Sequence, residues 1–193
     1  MKLKNFNLFI GRKIGTYKKS IKVDSDKSIS IRFFLIGSIS HNISSAKNIL
    51  VSEDVLSTIK CLKKLGVKIN KRKKQYFIYG KGLGSLSVKK NTKLNFGNSG
   101  TLARLLIGIL SSTPNIQVHL SGDHSLNKRN MKELIFLMSK FGASFYPTNK
   151  FTFPLKMISS EMPIGVYYNA GVSAQLKSAV ILAGLNSYGT TKI

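Results

Sequence analysis

The stretch Asn95–Leu110, NFGNSGTLARLLIGIL, joins a glycine-rich turn to a helical pattern without a gap. Leu102, Leu105, Leu106 and Ile109 stand at i, i+3, i+4 and i+7, which gives a helix one apolar face. Ahead of them, Gly97, Asn98, Ser99, Gly100 and Thr101 supply capping side chains and small residues that let other groups approach the backbone. Such a helix start gathers unpaired N–H groups at the positive end of the helix dipole, and it suits an anion. The same arrangement occurs twice more, in DKSISIR (Asp26–Arg32) before FFLIGSIS and in NAGVSAQ (Asn169–Gln175) before LKSAVILAGL. The buried faces expected there are Ile29, Phe33 and Ile36, and Leu176, Ala179, Val180 and Ala183. Asp26, Asn98 and Ser173 stand 72 and 75 positions apart. A recurrence that regular predicts three copies of one supersecondary unit. A second helix recurs with it: Val55, Ile59 and Leu62 lead to Leu65-Gly66, and Met131, Leu134, Ile135 and Met138 lead to Phe141-Gly142, with Gly at each C′ position.

Strands fill the spaces between these helices. Alternation predicts Lys19–Val23, then a linker over His41–Lys47 and a strand over Asn48–Ser52. Ser52, Glu53 and Asp54 open the second helix, Asp54–Leu65, with acids at its positive end. Val67–Ile69 and Gln75–Tyr79 read as a strand pair turning at Lys71-Arg72-Lys73-Lys74. Gly80-Lys81-Gly82-Leu83-Gly84 has the glycine spacing of a nucleotide loop, but no helical pattern follows it. Further strands are expected at Gln117–Leu120, around Phe145, at Leu155–Ile158 and near Val166–Tyr168. A turn is expected at Gly122–Ser125 and a helix near Asn130–Phe141. The third unit ends at Gly189–Ile193, where a new strand begins, so by its own repeat it is incomplete.

Composition limits the function classes. The 193 residues, 42% hydrophobic, suffice for a well-packed core. The formal charge of +24 raises a nucleic-acid reading. However, Lys far outnumbers Arg and is spread among Ile, Asn and Ser, a distribution that an A/T-rich coding bias also gives. Interleaved aromatics on a basic face, the mark of RNA modules, are not evident along the chain, so no nucleic-acid partner is expected. The single cysteine, Cys61, excludes an internal disulfide and a cysteine metal cluster, and its helical position predicts a buried structural thiol. His41, His119 and His124 lack metal-ligand spacing, and no metal is expected. The apolar runs are too short to span a bilayer and the N-terminus lacks a signal-peptide core, so no membrane partner and a cytoplasmic location are expected.

DKSISIR, GNSGTLARLL, SGDHSLNKRNM and SAQLKSAVILAGL, in this order and spacing, resemble the 3-phosphoshikimate 1-carboxyvinyltransferase (5-enolpyruvylshikimate-3-phosphate synthase) family. The resemblance covers residues 19–193 and looks closest to the bacterial branch of low glyphosate sensitivity. It implies an α/β (α+β) lobe of repeated βαβαββ units, the third incomplete, with residues 1–18 as the opening segment of a second, missing lobe. The implied reaction moves the enolpyruvyl group of phosphoenolpyruvate to the 5-hydroxyl of shikimate 3-phosphate and releases phosphate, a step in aromatic amino-acid biosynthesis. No cofactor is implied, and the full-length protein is expected to be a monomer. Residue by residue, Lys27 is implied as the catalytic lysine and a contact of both substrates. Ser28, Arg32, Ser173, Ala174 and Gln175 are implied for shikimate 3-phosphate, and Asn98, Gly100, Thr101 and Arg129 for phosphoenolpyruvate. Arg129 can bind a carboxylate or phosphate through two parallel hydrogen bonds. Read from the residues alone, Ser28, Asn98 and Ser173 are equally plain helix caps, and Arg104 is a solvated helix charge.

Three departures mark this chain. Asp24-Ser25 stands where the family has Pro-Gly, Ile31 where it has His or Asn, and Asn130 where it has Pro. The Ile31 change is expected to remove a polar contact. Glyphosate-resistant members carry Ala at the position of Gly100; this chain keeps Gly. The related UDP-N-acetylglucosamine enolpyruvyl transferase carries a reactive loop Cys, whereas Cys61 falls in a helix.

Overall fold

The computed structural model describes residues 23–193 together with Gly11 and Lys18. The expected opening segment over 1–18 and the strand at Lys19–Val23 lie almost wholly outside these described residues.

Each repeat begins where a side chain closes the first turn of a helix. Helix α1 (Lys27–Ile39) starts on Asp26, whose carboxylate accepts from the Ile29 N–H at 2.6 Å. Helix α3 (Gly100–Ser111) starts on Ser99, and helix α6 (Ala174–Gly184) on Ser173, each hydroxyl accepting from the N–H three residues on. The true caps are therefore Asp26, Ser99 and Ser173, and the neighbouring Asn98 and Ser28 are left free of that task.

The first unit continues through β1 (Ile43–Lys47), α2 (Glu53–Lys64), β2 (Lys68–Arg72) and β3 (Gln75–Tyr79), with strands ordered β1-β3-β2. In the second, β4 (Thr92–Asn95) precedes α3. After α3 come β5 (Gln117–Ser121), the single-turn helix α4 (His124–Asn127), α5 (Lys132–Lys140), β6 (Ser144–Tyr146) and β7 (Leu155–Ile158). Its sheet is ordered β4-β5-β7-β6. The orders β1-β3-β2 and β5-β7-β6 are one pattern: the last strand of each unit pairs antiparallel between the two before it. The second unit is thus a complete βαβαββ with α4 inserted. Around α6, parallel bridges join Ile164 to Tyr188 and Tyr167 to Lys192, the parallel relation that β4 and β5 have around α3. The fold is α/β, as expected.

Helix α3 is the centre of the core. Every residue of it except Arg104 is buried, so it is a fully enclosed helix rather than the one-faced helix that its spacing predicts. It runs against α6 at van der Waals distance because Gly108 has no side chain: a β-carbon there would lie 2.5 Å from the Ala179 carbonyl oxygen. The expected face of α6 is the one buried, with Leu176, Ala179, Val180 and Ala183 at 6% exposure or less.

Helix α1 corrects its expectation. Ile29 and Ile36 are 69% and 53% exposed and Phe33 is half-buried, while Ser30, Ile31, Phe34, Leu35, Gly37, Ser38 and Ile39 face inward. The run FFLIGSI is apolar on two faces, and the face carrying Ser30, Gly37 and Ser38 wins because small residues let the helix settle onto β3. A β-carbon on Gly37 would stand 2.9 Å from Ile78. Ile31 therefore belongs to the core.

The strand expected at Asn48–Ser52 is β1, at Ile43–Lys47, where a linker was expected. Its half-polar sequence ISSAK carries little hydrophobic signal; backbone pairing with β3, Ile43 to Tyr79 through Lys47 to Gln75, defines it. Asn48, at φ +56°, then turns the chain away. The β2–β3 hairpin turns at Lys73-Lys74, inside the expected basic turn. Leu65-Gly66 and Phe141-Gly142 end α2 and α5 with φ +80° and +97° at the glycines, as the C′ reading requires.

Candidate active site

Four helix starts open onto one cavity of about 350 Å³. Lys27 comes from the start of α1, Glu53 and Asp54 from α2, Asn98, Gly100 and Thr101 from α3, and Gln175 from α6. Arg129, just after α4, completes the wall. The regular spacing of the repeats carries these residues to one place, although up to 148 positions separate Lys27 from Gln175. A larger groove of about 740 Å³ beside α5 is walled by Ile135, Phe136 and Phe151, and only the start of α5 itself, through Lys132 and Glu133, opens onto it.

The polar groups are held by one another. Lys27 Nζ lies 3.1 Å from Asp54 Oδ2, the one ion pair among the described residues. Arg129 Nη2 donates to Asn98 Oδ1 at 2.8 Å, which explains why Asn98 stands free of the cap. Gln175 Nε2 donates to Thr101 Oγ1 at 3.0 Å and its carbonyl oxygen accepts from Arg104 Nη1 at 2.9 Å. Arg104 also donates to its own helix at the Gly100 carbonyl, 3.3 Å away.

Arg104 is thus no solvated helix charge. Burial, and then the neighbouring Arg129 guanidinium, push its pKa below the ordinary arginine value. A β-carbon on Gly100 would lie 2.8 Å from Arg104 Nη1 and 3.0 Å from Arg129 Nη1, so both guanidinium groups reach the point that glycine leaves empty. Two like charges meet at the amino end of a helix, and both use neutral hydrogen-bond partners. An anion supplies what this arrangement lacks. Spacing alone could not reveal Arg104; one signal was available, a lone charge within the apolar run LARLLIGIL.

The expected site residues divide into two groups. Lys27, Asn98, Gly100, Thr101, Arg129 and Gln175 share the cavity. Ser28, Arg32, Ser173 and Ala174 do not line it. Arg32 Nη1 reaches back to the Ser28 carbonyl at 3.3 Å, Ser173 is the α6 cap, and Ala174 is the first residue of that helix. Asp54 and Glu53 join the cavity without having been expected there; the acids at the α2 start were read only as partners of its dipole. Asn130 accepts from the Lys132 N–H at 2.8 Å and so helps start α5, a task compatible with the loss of proline. No group of three or more His, Cys, Asp or Glu side chains suited to a metal occurs among the described residues.

Cys61 is 1% exposed, and its thiol donates to the Asn95 carbonyl at 3.3 Å. Burial pushes its pKa up to about 12, against smaller opposing effects of Lys64 and that hydrogen bond. Such a thiol is a poor nucleophile, which sets the chain apart from transferases that use a loop cysteine. None of the helices among the described residues is long and apolar enough to cross a membrane.

Comparison with known proteins shows the family. The family profile described as EPSP synthase (3-phosphoshikimate 1-carboxyvinyltransferase) matches residues 12–193. The 3-phosphoshikimate 1-carboxyvinyltransferase of Alkaliphilus oremlandii is 42% identical over 188 residues, 96% of this chain and 43% of that protein. That of Bacillus subtilis is 38% identical over 183 residues, 94% of this chain and 42% of that protein. Among solved structures, EPSP synthase from Acinetobacter baumannii superposes with a TM-score of 0.81 at 34% identity, covering 89% of this chain and 39% of that one. This chain spans less than half the length of these relatives, and it belongs to the EPSP synthase family.

Proposed function

We propose that this chain is the substrate-binding lobe of a cytoplasmic 3-phosphoshikimate 1-carboxyvinyltransferase. In the overall reaction the 5-hydroxyl oxygen of shikimate 3-phosphate bonds to C2 of phosphoenolpyruvate, the bond from C2 to the phosphate oxygen breaks, and inorganic phosphate leaves. The observation that carries this reading is the meeting of Arg104 and Arg129 over Gly100 at the start of α3. Both substrates are phosphorylated carboxylates, so fixed cations and helix starts match them in charge and geometry.

Each group has a task that follows from its place. Arg129, oriented by Asn98, offers its planar fork to the carboxylate or phosphate of phosphoenolpyruvate. Gly100 keeps the small substrate close to the helix backbone. Lys27 contacts both substrates and neutralises charge gathering on the departing phosphate. Asp54 holds the Lys27 ammonium until substrate replaces that partner. Gln175, fixed between Arg104 and Thr101, presents the α6 start to shikimate 3-phosphate, with Ser173 and Ala174 offering the turn itself. Ser28 and Arg32, on the first turns of α1, reach the same ligand from the other side. In the same reading the described residues 23–193 belong to this lobe.

Isothermal titration of shikimate 3-phosphate into the 193-residue chain tests this. Weak binding is expected, lost with unphosphorylated shikimate, weakened by Arg32→Gln, and accompanied by no phosphate release when phosphoenolpyruvate is added. Enclosure and orientation by a second lobe supply several kcal/mol of barrier lowering, roughly 7 or more at best, that one lobe cannot. Failure to bind shikimate 3-phosphate, or steady release of phosphate by this chain alone, would refute the assignment.

A further inference from the structure

The outer face of the first sheet carries a surface that the reaction does not use. Along β3 the side chains alternate: Tyr76 and Ile78 are 7% and 0% exposed and enter the core, whereas Gln75, Phe77 and Tyr79 face outward and are half-buried. Strand register places Ile43 and Lys68 on either side of Tyr79, Ser45 and Asn70 beside Phe77, and Lys47 and Arg72 beside Gln75. Lys68 Nζ stands 4.8 Å from the Tyr79 ring centre, and the Arg72 guanidinium carbon 5.9 Å from that of Phe77.

The three strands and the turn between β2 and β3 contain six cations, Lys47, Lys68, Lys71, Arg72, Lys73 and Lys74, and no carboxylate. Lys47, Lys71, Lys73 and Lys74 also line a cavity of about 460 Å³ at the turn end, on the side of Tyr76 rather than of Phe77 and Tyr79. The sequence reading expected no nucleic-acid partner because aromatic and basic residues do not alternate along the chain. Pairing three strands interleaves them across the sheet instead.

We propose that this face binds single-stranded nucleic acid without sequence preference. Phe77 and Tyr79 are two residues apart on the central strand, about 7 Å, which matches bases drawn apart in an extended strand and held one per ring. In a duplex the base faces are stacked on one another and unavailable. Lys47, Lys68 and Arg72 on this face, with Lys73 and Lys74 at the turn, meet the phosphates around the rings, while Lys71 lies on the other face, 5.2 Å from the Tyr76 ring. Lys68 and Arg72 exchange a ring contact for a phosphate contact as the strand arrives. No residue of this face lines the active-site cavity, so the proposal stands apart from the catalytic reading.

Fluorescence anisotropy with a labelled DNA strand of about 12 nucleotides tests it on the 193-residue chain. The single strand is expected to bind more tightly than a duplex of equal length. Phe77→Leu/Tyr79→Leu, which keeps apolar bulk and strand propensity but removes the rings, is expected to weaken it about tenfold or more. Lys73→Gln/Lys74→Gln is expected to flatten the dependence of affinity on salt by roughly one to two charges. Saturating shikimate 3-phosphate leaves the complex intact. Photocrosslinking of an iodouracil-substituted strand to the unaltered chain is expected to mark Phe77 or Tyr79, which secures the result independently of any variant's folding. Equal affinity for duplex, an unchanged Leu double variant, displacement by shikimate 3-phosphate, crosslinks confined to other segments, or equally tight capture by phosphatidylserine vesicles would each overturn the proposal.

Discussion

Replacing Arg104 by Met separates the two things a charged residue in an enclosed helix can do. The substitution keeps the aliphatic stem and the helix propensity while removing the guanidinium. Two hydrogen bonds disappear, one to Gln175 at 2.9 Å and a longer one to the Gly100 carbonyl at 3.3 Å, roughly 1–3 kcal/mol together. Against that stand the half-buried charge and its repulsion by Arg129, the two causes that lower the Arg104 pKa and that vanish with the charge. The two effects oppose one another, so the loss of stability is expected to stay below the roughly 3 kcal/mol that the hydrogen bonds alone would give. Anion binding has no such offset. One charge-assisted contact is worth about 1.5–3 kcal/mol, and shikimate 3-phosphate affinity is expected to fall roughly 10- to 150-fold. Arg104→Lys keeps the charge but not the fork that spans Gly100 and Gln175, and should recover only part of the loss. Isothermal titration and thermal melting of the same samples decide the matter. A large drop in melting temperature with unchanged affinity would show that Arg104 serves the fold and not the ligand.

Other substitutions probe the remaining walls. Gly100→Ala brings a methyl within 2.8 and 3.0 Å of two guanidinium ends, which must retreat; in the full-length enzyme, inhibition curves at matched phosphoenolpyruvate saturation should show weaker inhibition by the longer glyphosate. Asp54→Asn frees Lys27 and removes a negative charge from the cavity, so titration should show tighter anion binding by this chain, with a stability loss under about 1 kcal/mol for a pair this exposed. Ser173→Ala removes the α6 cap and should lower stability by about 1 kcal/mol in a denaturant melt. Cys61 should react with a disulfide reagent roughly a thousandfold more slowly in the native chain than in the denatured one, from a pKa raised from 9.0 to about 12. The same shift means that stability falls as pH rises above 9, because the unfolded thiol ionises first.

How much of this the sequence revealed depends on how locally each feature is encoded. Helix starts, C′ glycines and the repeat are written within a few residues, and α2, α5 and α6 bury the faces that their spacing indicates. The buried face of α1 was not legible, because FFLIGSI offers two apolar faces and the choice rests on Gly37 meeting Ile78, 41 positions away. The strand β1 was displaced for a similar reason: ISSAK is a strand only because β3 lies beside it. Within the cavity, the residues carried by the GNSGT and Gln175 motifs were found, along with Lys27 and Arg129. Arg104 was missed because its significance comes from Gln175 and Arg129, which three-dimensional structure brings to it.

The large positive charge of this chain acts in two physically different ways. At the helix starts, few cations are involved, and neutral side chains hold them: Asn98 orients Arg129, and Gln175 holds Arg104. Only Arg104 is partly buried there, and Lys27 and Arg129 are exposed, so on the proposed reading selectivity comes from fixed geometry rather than from freedom from screening. On the outer sheet face the cations are exposed and more numerous, and in the proposed complex the rings beside them discriminate only between stacked and unstacked bases. Attraction there follows counterion release and declines steeply with ionic strength. A chain whose charge came only from coding bias would spread lysines over every face alike. In this one, the β2–β3 hairpin concentrates five cations, with Lys47 beside it on β1, and no carboxylate, while the cavity at the helix starts sets Glu53 and Asp54 against Lys27 and Arg129. On the two proposals together, the balanced cluster selects a small anion by shape and the unbalanced one attracts a long anion by charge.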